Sequence, residues 1–404
     1  MHEARATPPR QALLLTGVVL LAALLLVSML RIERRKDSAG ANAATRDMAA
    51  PSLSPAESAA EKARRAAIAA LGPIKHKGVN AQDLYANASA LYAGLTQEEK
   101  DALRHRDQKM DPAAAAALYA KLQPIMDMLR RARNADYVDW GQGPLTIGTS
   151  MTGRVQQAKE LSQVALWESS YRFQSDPDGA VSDLAALVAL GRDETDSMLG
   201  LVFENGFRTD AINLIAQNAG GISAAAGPDL ADIINEEAAR QSFENGMNGD
   251  VSELHASLAQ YPNSAPPLNP GDPPMSHAEF ASAVDFFEHA ASAMGTAALE
   301  PPGSFQQWWT QELGEAAALP GAETALKAQE LVIRREQASL VEDAMLVAGM
   351  AVEQGDQAGF QSHVDPSTGQ PFTYTQTATG FQLASPTQYQ GKPVALTFSL
   401  PAPK

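Results

Sequence analysis

The chain of 404 residues contains no cysteine and few aromatic residues. Without cysteine it can form no disulfide, no thiolate nucleophile, no cysteine-ligated zinc or iron–sulfur site and no lipid anchor on an N-terminal cysteine. Aromatic residues make up 6% of the chain, and much of its apolar content is alanine, which favours helix over sheet. With 45% hydrophobic residues, the composition is nevertheless that of a globular protein.

Positive charge is scarce beyond the first 36 residues. Six of the 31 Lys and Arg and two of the 47 Asp and Glu lie within residues 1–36, which leaves a net charge of −20 in the remainder. A body this acidic repels a phosphate backbone, so we expect no nucleic-acid partner. The simplest role of such a surface is to keep the protein soluble.

One long apolar run, QALLLTGVVLLAALLLVSML, covers residues 11–30 and contains no charge. As a helix it would be about 30 Å long, the thickness of the hydrocarbon core of a bilayer. A cleaved signal peptide usually has a shorter apolar region, closely followed by a small-x-small site. Here the run meets Arg31 directly, and the nearest such site, Ala41-Asn42-Ala43, lies too far downstream. We therefore predict a tail over residues 1–10 and an uncleaved single-pass transmembrane anchor over residues 11–30.

The sequence indicates less directly on which side of the membrane the body lies. Four basic residues follow the run and two precede it, which by the positive-inside rule alone would leave the body in the cytoplasm. The free amine and the short N-terminal tail reduce that difference, and large domains are translocated despite their charge. We expect the N-terminus inside and the bulk of the chain outside the cytoplasm, on the periplasmic side.

The body has the sequence pattern of a mainly α protein built from antiparallel helical hairpins in a repeat-like array. Capping boxes at Ser54, Thr96, Ser276 and Ser304, and the Asp-Pro pairs at 111–112 and 176–177, predict helix starts. Apolar residues recur with helical spacing between them, and Gly191 is a predicted helix stop. The predicted organisation is a basic flank and flexible linker over 31–54, helical lobe 1 over 55–260, a proline-rich connection over 261–276, helical lobe 2 over 277–356, and a C-terminal turn and β unit over 357–404.

The C-terminal unit begins with DPSTGQP, in which Asp365, Pro366 and Gly369 are turn formers. Alternation of Phe372 and Tyr374 with threonines then predicts a strand, and the following FQLAS predicts its return in a hairpin. PVALTFSL, residues 393–400, could add a third strand. Because an isolated hairpin is marginally stable in water, this unit should pack on the helices.

Asp365, Pro366, Gly369, Pro371 and Tyr374, with the later Gly-Phe pair, resemble a D-P-x-S/T-G-x-P-F/L-x-Y…G-F-x-L ending. That ending closes many uncharacterised membrane-anchored helical proteins of bacteria. Residues 79–99, the D-W-G segment NADYVDWGQGP (134–144) and residues 180–194 are similar to other parts of the same group. The resemblance implies a membrane-anchored helical architecture and no particular activity.

The same ending has a weaker local resemblance to the tail of type II secretion pseudopilins. In those proteins the following loop binds calcium through acidic residues. No Asp or Glu follows Asp365 in this chain, and the apolar run lacks the prepilin signature of a preceding glycine and an internal glutamate. We therefore assign Asp365, Pro366, Gly369, Pro371 and Tyr374 to a structural turn motif.

No cluster of residue types typical of catalysis stands out. His277 and His289 would lie about 18 Å apart on one helix, too far to share a metal, and Ser150 in GTSMTG lacks the glycine and strand context of a nucleophile elbow. DYVDWG, residues 136–141, could bind a ligand, although turn-forming acids beside a tryptophan wedge are the commoner arrangement. Trp308 and Trp309 could contact a protein partner, and their adjacency on a helix would leave one of them in the core.

We therefore expect no catalytic residues, cofactor or metal, and interpret the chain as a non-catalytic membrane-anchored envelope protein that serves as a helical scaffold or binding platform. Two alternatives stay open: an extracytoplasmic hydrolase whose residues converge from separate helices, and a secretion-apparatus-associated subunit. A concave pocket with several acids and a histidine would favour the hydrolase.

Overall fold

A computed structural model describes residues 78–106, 108–140, 150–260, 264–265, 275–297, 302–319 and 322–399. The predicted anchor over residues 11–30, the linker over 31–54 and the capping box at Ser54 lie outside these described residues. No helix among the described residues is long and apolar enough to cross a membrane.

The described part of the chain is mainly helical and ends in a small antiparallel sheet, which confirms the predicted fold class at that level. The helices of the first half are α1 (Ala81–Ala93), α2 (Gln97–Arg104), α3 (Pro112–Arg133), α4 (Ser150–Arg172), α5 (Pro177–Asp193), α6 (Met198–Ala216) and α7 (Gly227–Ile233). Those of the second half are α8 (Glu236–Gln260), α9 (His277–Ala297), α10 (Pro302–Ala316), α11 (Ala322–Glu353) and α12 (Gln357–Ser362). Two-residue strands β1 (Ser264–Ala265) and β2 (Met275–Ser276) pair between α8 and α9.

Most of the predicted helix starts are confirmed. Thr96 and Glu99 form a reciprocal capping box at α2, and the side chains of Asp111 and Asp176 accept backbone hydrogen bonds at α3 and α5, each with proline at the first helical position. Ser276 and Glu279 exchange the two bonds of a capping box before α9. These caps satisfy backbone N–H groups that a helix leaves unpaired at its first turn.

Two helix boundaries differ from the predictions. Ser304 does not cap a helix, because α10 already begins at Pro302 and its proline fits the first helical position. Gly191 does not end α5, which continues to Asp193. Gly191 instead allows a close approach, since a Cβ there would lie 2.8 Å from the Cα of Glu204 on α6.

Apolar packing joins these helices into two main cores. One core contains buried residues of α1 and α3 to α6, the C-terminal half of α11 and the terminal sheet. The other is formed by residues of α6 and α8 to α11, and includes Phe305 and Trp309. The long helix α11 thus contributes to both cores.

The terminal sheet consists of β3 (Thr373–Thr377), β4 (Gly380–Tyr389) and β5 (Lys392–Ser399) in the order β3-β4-β5, with antiparallel pairing throughout. On β5, Val394, Leu396 and Phe398 are buried at alternate positions, the period of a strand with one covered face. This face lies on α11, where a Cβ on Gly349 would be 1.9 Å from the ring of Phe398. The sheet therefore belongs to the helical body.

Candidate functional site

Residues 134–140 of the D-W-G segment follow α3 and are fixed to the start of α1, whereas its residues 141–144 lie outside the described residues. Tyr137 and Asn80 form an isolated parallel bridge, and the backbone N–H of Ala81 donates to the carbonyl oxygen of Tyr137 at 3.0 Å. The side chain of Asn80 donates to the carbonyl of Asp139 at 2.8 Å and accepts from the N–H of Asp139 at 2.9 Å. These bonds set the position of Asp136 and Tyr137, which lie within the segment and are exposed.

Trp140 acts as a wedge between helices. Its ring stacks on Tyr85 of α1 with centroids 5.9 Å apart, and its Nε1–H donates to the carbonyl oxygen of Asp193 at 2.9 Å. The guanidinium of Arg154 on α4 lies over the indole, 4.1 Å from its centroid. These contacts tie the segment to α1, α4 and the end of α5, so Trp140 organises the surroundings of the segment.

A cleft of about 290 Å³ opens between this segment and the C-terminal ends of α3, α5 and α7. Its lining comes from these elements and the first residue of α1, and comprises Ala81, Ala132, Arg133, Ala135, Asp136, Tyr137, Val138, Ala189, Arg192, Asp193 and Asp232. Three carboxylates and two guanidiniums therefore meet around one opening. The volume is near the lower end of that of small-molecule sites.

Both guanidiniums of the cleft are held by carboxylates of α7. Arg133 places Nη1 2.6 Å from Asp229 and Nη2 2.8 Å from Asp232. Arg192 places Nη1 3.0 Å from the other oxygen of Asp232 and donates from Nη2 to its backbone carbonyl at 2.6 Å. Asp232 therefore bridges the two arginines, and these charged hydrogen bonds fasten α7 across the ends of α3 and α5.

Asp193 is the cleft carboxylate that contacts Tyr85 of α1. The hydroxyl of Tyr85 donates to its Oδ2 at 2.6 Å. Burial raises the pKa of Asp193 to about 6, while the Tyr85 hydrogen bond and the charge of Arg192 act in the opposite direction. The same surroundings raise the pKa of Tyr85 well above its ordinary value, first through burial and then through the charge of Asp193. The pair keeps its proton on the tyrosine and leaves a carboxylate with a pKa of about 6.

Behind the cleft, a buried chain of charges connects α5 with α11. Arg192 Nε lies 3.7 Å from Oε1 of Glu204 on α6, and burial, reinforced by the nearby charge of Glu336, raises the pKa of Glu204 to about 8. On the same helix, Arg208 pairs with Asp343 and, at 3.5 Å, with Glu336, both on α11. Charged groups thus cross the helix interfaces from the cleft to the helix that carries the sheet.

A second buried network ties α3, α4 and α5 together. Arg130 Nε donates to Asp183 at 2.6 Å and its Nη2 donates to Glu168 at 2.9 Å, while Arg172 donates to the other oxygen of Asp183 at 2.9 Å. Glu168 and Asp183 are fully buried. Burial raises the pKa of Glu168 to about 7, whereas the two arginines lower the pKa of Asp183 against its own burial. Removing one of these side chains would leave the others buried in the core without a charge partner.

The two tryptophans at 308–309 lie on α10. Trp309 is 1% exposed and stacks on Phe305 with centroids 5.7 Å apart, whereas Trp308 is half-buried. Trp309 therefore belongs to the core, and Trp308 alone offers surface to a partner. Partner contact through Trp308 and Trp309 stays a prediction.

The turn motif lies at the entrance to the sheet. The carboxylate of Asp365 is buried and accepts from the N–H of Ser367 at 2.8 Å and from the hydroxyl of Ser385 on β4 at 2.5 Å. Gly369 has a φ of +67° and donates its N–H to the carbonyl of Asp365 at 2.7 Å. This arrangement closes the turn that Pro366 begins and connects it to the sheet.

The last two members of the motif continue into the sheet. Pro371 bridges to Val364, and the exposed Tyr374 stacks on Phe381 with centroids 5.3 Å apart. Both therefore hold the loop and the first strand in place. The hydroxyl of Tyr374 also donates to Oε1 of Gln376 at 2.6 Å, two residues along the same strand.

The other sequence candidates are scattered over the molecule. Ser150 is the first residue of α4, and residues 148–149 before it lie outside the described residues. His277 and His289 are on α9, on which Glu288 is paired with His255 at 3.2 Å. No group of three or more His, Asp and Glu within the described ranges is arranged to hold a metal ion.

Sequence reasoning selected Asp136 but missed Tyr85, Arg133, Arg192, Asp193 and Asp232. The available signal was GRDETD, residues 191–196, where charged residues crowd the end of an apolar helix. No family model, curated protein or solved structure matches the chain.

Proposed function

We propose that the protein is a non-catalytic, membrane-anchored binding platform of the cell envelope, with the cleft as its binding site. Residues 11–30 would hold the body at the membrane, and the linker over 31–54 would let it turn. The helices would form a repeat-like array of antiparallel hairpins. The buried ion pairs support a rigid body, because each fastens two or three helices at a defined distance.

The composition of the cleft carries this proposal. Its opening is concave and charged, as a specific polar site requires. However, its lining contains neither a histidine nor a serine, threonine or lysine that could act as a nucleophile. The two arginines are occupied by Asp229 and Asp232 in the fold, so they are not positioned to stabilise a developing anion. Binding without turnover is what this chemistry supports best.

Photo-crosslinking of the full chain in living bacterial cells tests the proposal. A benzophenone side chain replaces Tyr137 at the cleft or, as the control, Leu91 on the same helix that begins at the cleft. Both positions are exposed, and Leu91 lies ten residues beyond Ala81, about 15 Å along the axis. We expect a discrete adduct in the membrane fraction from position 137 alone. Equal or absent adducts at both positions would contradict a binding role for the cleft.

The proposed topology has its own test. A reporter fused after Lys404 distinguishes the two sides, because alkaline phosphatase is active only outside the cytoplasm, whereas green fluorescent protein exported unfolded is dark. We expect an active phosphatase and a dark fluorescent fusion. A bright, phosphatase-negative result would show that the charge count around residues 11–30 determines the orientation instead.

A further inference from the structure

The accessible, unused hydrogen-bonding capacity of the cleft lies on its carboxylates. The Nε of Arg192 also makes no hydrogen bond, but it is buried 3.7 Å from Oε1 of Glu204. Arg133 and Arg192 already make charged hydrogen bonds to Asp229 and Asp232, so an anionic ligand would have to displace those bonds. Asp136 makes no hydrogen bond or ion pair within the described part of the chain. Asp193 accepts one bond, from Tyr85, although a carboxylate has about four acceptor positions.

The charge balance and an aromatic ring at the cleft favour the same kind of ligand. Three aspartates and two arginines line the opening, a net formal charge of −1, and Asp229 behind Arg133 makes the neighbourhood more acidic. Tyr137 also lines the cleft and is 47% exposed, so it places an accessible aromatic residue there. Aromatic faces attract ammonium and guanidinium groups, and carboxylates bind them through charged hydrogen bonds.

We propose that the cleft binds an organic cation, an alkylammonium or guanidinium group, between the carboxylates of Asp136 and Asp193 with the ring of Tyr137 beside it. This inference rests on the proposed binding function and names the ligand class. The group can be carried by a free amine or by a lysine or arginine side chain of a protein partner. Either source presents the same charge to the same oxygens.

The surroundings of Asp193 predict how binding responds to pH. Tyr85 on α1 and Arg192 beside it on α5 act on Asp193 directly, and the charge of Asp193 in turn acts on Glu194. The charged groups that share the cleft are Arg133 on α3, Asp136 in the D-W-G segment and Asp232 on α7. With its pKa at about 6, the Asp193 carboxyl is roughly one-tenth ionised at pH 5 and almost fully ionised at pH 7.5. An alkylammonium stays protonated over this range, so its affinity should rise about four- to tenfold from pH 5 to pH 7.5.

The test uses the full chain in lipid nanodiscs, with 3-fluorotyrosine at position 137 as a fluorine NMR reporter in the cleft. Butylammonium represents a free amine, and a Gly/Ser pentapeptide with one central lysine, acetylated at its N-terminus and amidated at its C-terminus, presents the same group on a peptide. The same pentapeptide with norleucine is the neutral control. We expect saturable shifts with both cations and none with the norleucine peptide. Tighter binding of the lysine peptide would identify a partner side chain as the source, and equal binding a free amine.

Charge-matched variants locate the contact. Asp136→Asn, at an exposed position, and Asp193→Asn, in which the amide oxygen can still accept from Tyr85, should each weaken cation binding by about fivefold or more. Asp285→Asn on α9 makes the same charge change at an exposed site outside the cleft and should leave binding unchanged. Asp193→Asn should also remove the pH dependence. Circular dichroism verifies that each variant is folded.

Several results would overturn the cation assignment. The assignment is wrong if neither cation gives saturable shifts, or if the norleucine peptide gives shifts equal to those of the lysine peptide. It is also wrong if Asp136→Asn and Asp193→Asn both leave the affinity for the cations unchanged. Specific crosslinking from position 137 would then still support the binding platform, with a different ligand. Loss of that crosslinking would instead contradict the platform itself, so the two proposals fail separately.

Discussion

Replacing Gly349 with alanine tests how tightly the C-terminal sheet is docked on α11. A Cβ at this position would lie 1.9 Å from Cζ and 2.3 Å from Cε2 of Phe398, far inside van der Waals contact. The ring cannot withdraw freely, since Phe398 is fully buried and stacks on Phe381 with centroids 4.8 Å and planes 4° apart. The alanine must therefore push the strand away from the helix or force the ring out of its rotamer.

The expected magnitude combines two opposing effects. Overpacking a filled core costs about 1–3 kcal/mol. Glycine to alanine in a helix interior stabilises by about 0.5–1 kcal/mol, mainly because the unfolded chain becomes less flexible. The ring must move by about 1.5 Å to reach a normal carbon–carbon separation, so we place the cost at the upper end of its range. The net loss is then roughly 2–2.5 kcal/mol, which lowers Tm by about 3 °C.

The assay is thermal unfolding of the full chain followed by circular dichroism, with Gly206→Ala as the control. Gly206 lies in the middle of α6, and a Cβ there would meet nothing within 4 Å, so this alanine should raise Tm by about 1–2 °C. Adding Phe398→Leu to Gly349→Ala should restore part of the loss, because leucine leaves room for the new methyl group. If the Tm of Gly349→Ala equals or exceeds that of the unsubstituted protein, the sheet is not held against α11 as described.

Two further predictions concern the buried charges. Because burial raises the pKa of Glu168 to about 7 and of Glu204 to about 8, each favours the folded state fully below its unfolded pKa near 4.5 and loses that contribution as the pH rises through 7 to 8. Tm should therefore fall between pH 5.5 and pH 8.5, and a flat or rising Tm across that interval would refute the assignment. Arg130→Met should reduce the free energy of unfolding by about 3–5 kcal/mol in urea titrations, since Glu168 and Asp183 lose their partner. Arg131→Met, an exposed neighbour on the same helix, should change it by less than about 0.5 kcal/mol, and similar losses in both variants would disprove a special role for the buried network.

The features that sequence predicted correctly are local ones. Caps at Thr96, Asp111, Asp176 and Ser276 depend on residues three or fewer positions apart, so their spacing is visible in the chain itself. The alternation in residues 372–376 predicts the strand β3, although no residue of that strand is buried. In β5, alternate residues 394, 396 and 398 face the covered side of the sheet. The predictions of a mainly helical body and of a β unit at its end both follow from these short-range patterns.

The cleft was not predictable in the same way. Its walls come from four helices and a loop, and Arg192 and Asp193 line it only because α5 continues past Gly191. A glycine near a helix end predicts that the helix stops there. At Gly191 the absence of a side chain instead allows α6 to pack closely against α5, and no local sequence pattern reveals that contact. Likewise, Arg133 and Arg192 pair with Asp232 because the ends of α3, α5 and α7 meet in space, and the sequence does not show that these helix ends meet.

The close backbone contacts have a consequence for how this sequence can change over evolutionary time. At Gly200 a Cβ would lie 1.9 Å from the carbonyl oxygen of Glu194, and at Gly249 it would lie 1.8 Å from that of Asp196. Such contacts with main-chain atoms admit no other residue without rearrangement, whereas the alanine-rich exposed faces can drift with little effect on stability. Distant relatives should therefore keep glycine at 200 and 249 after most other identities are lost. The spacing of these glycines, combined with the D-P-x-S/T-G turn, is the pattern by which such relatives could be found.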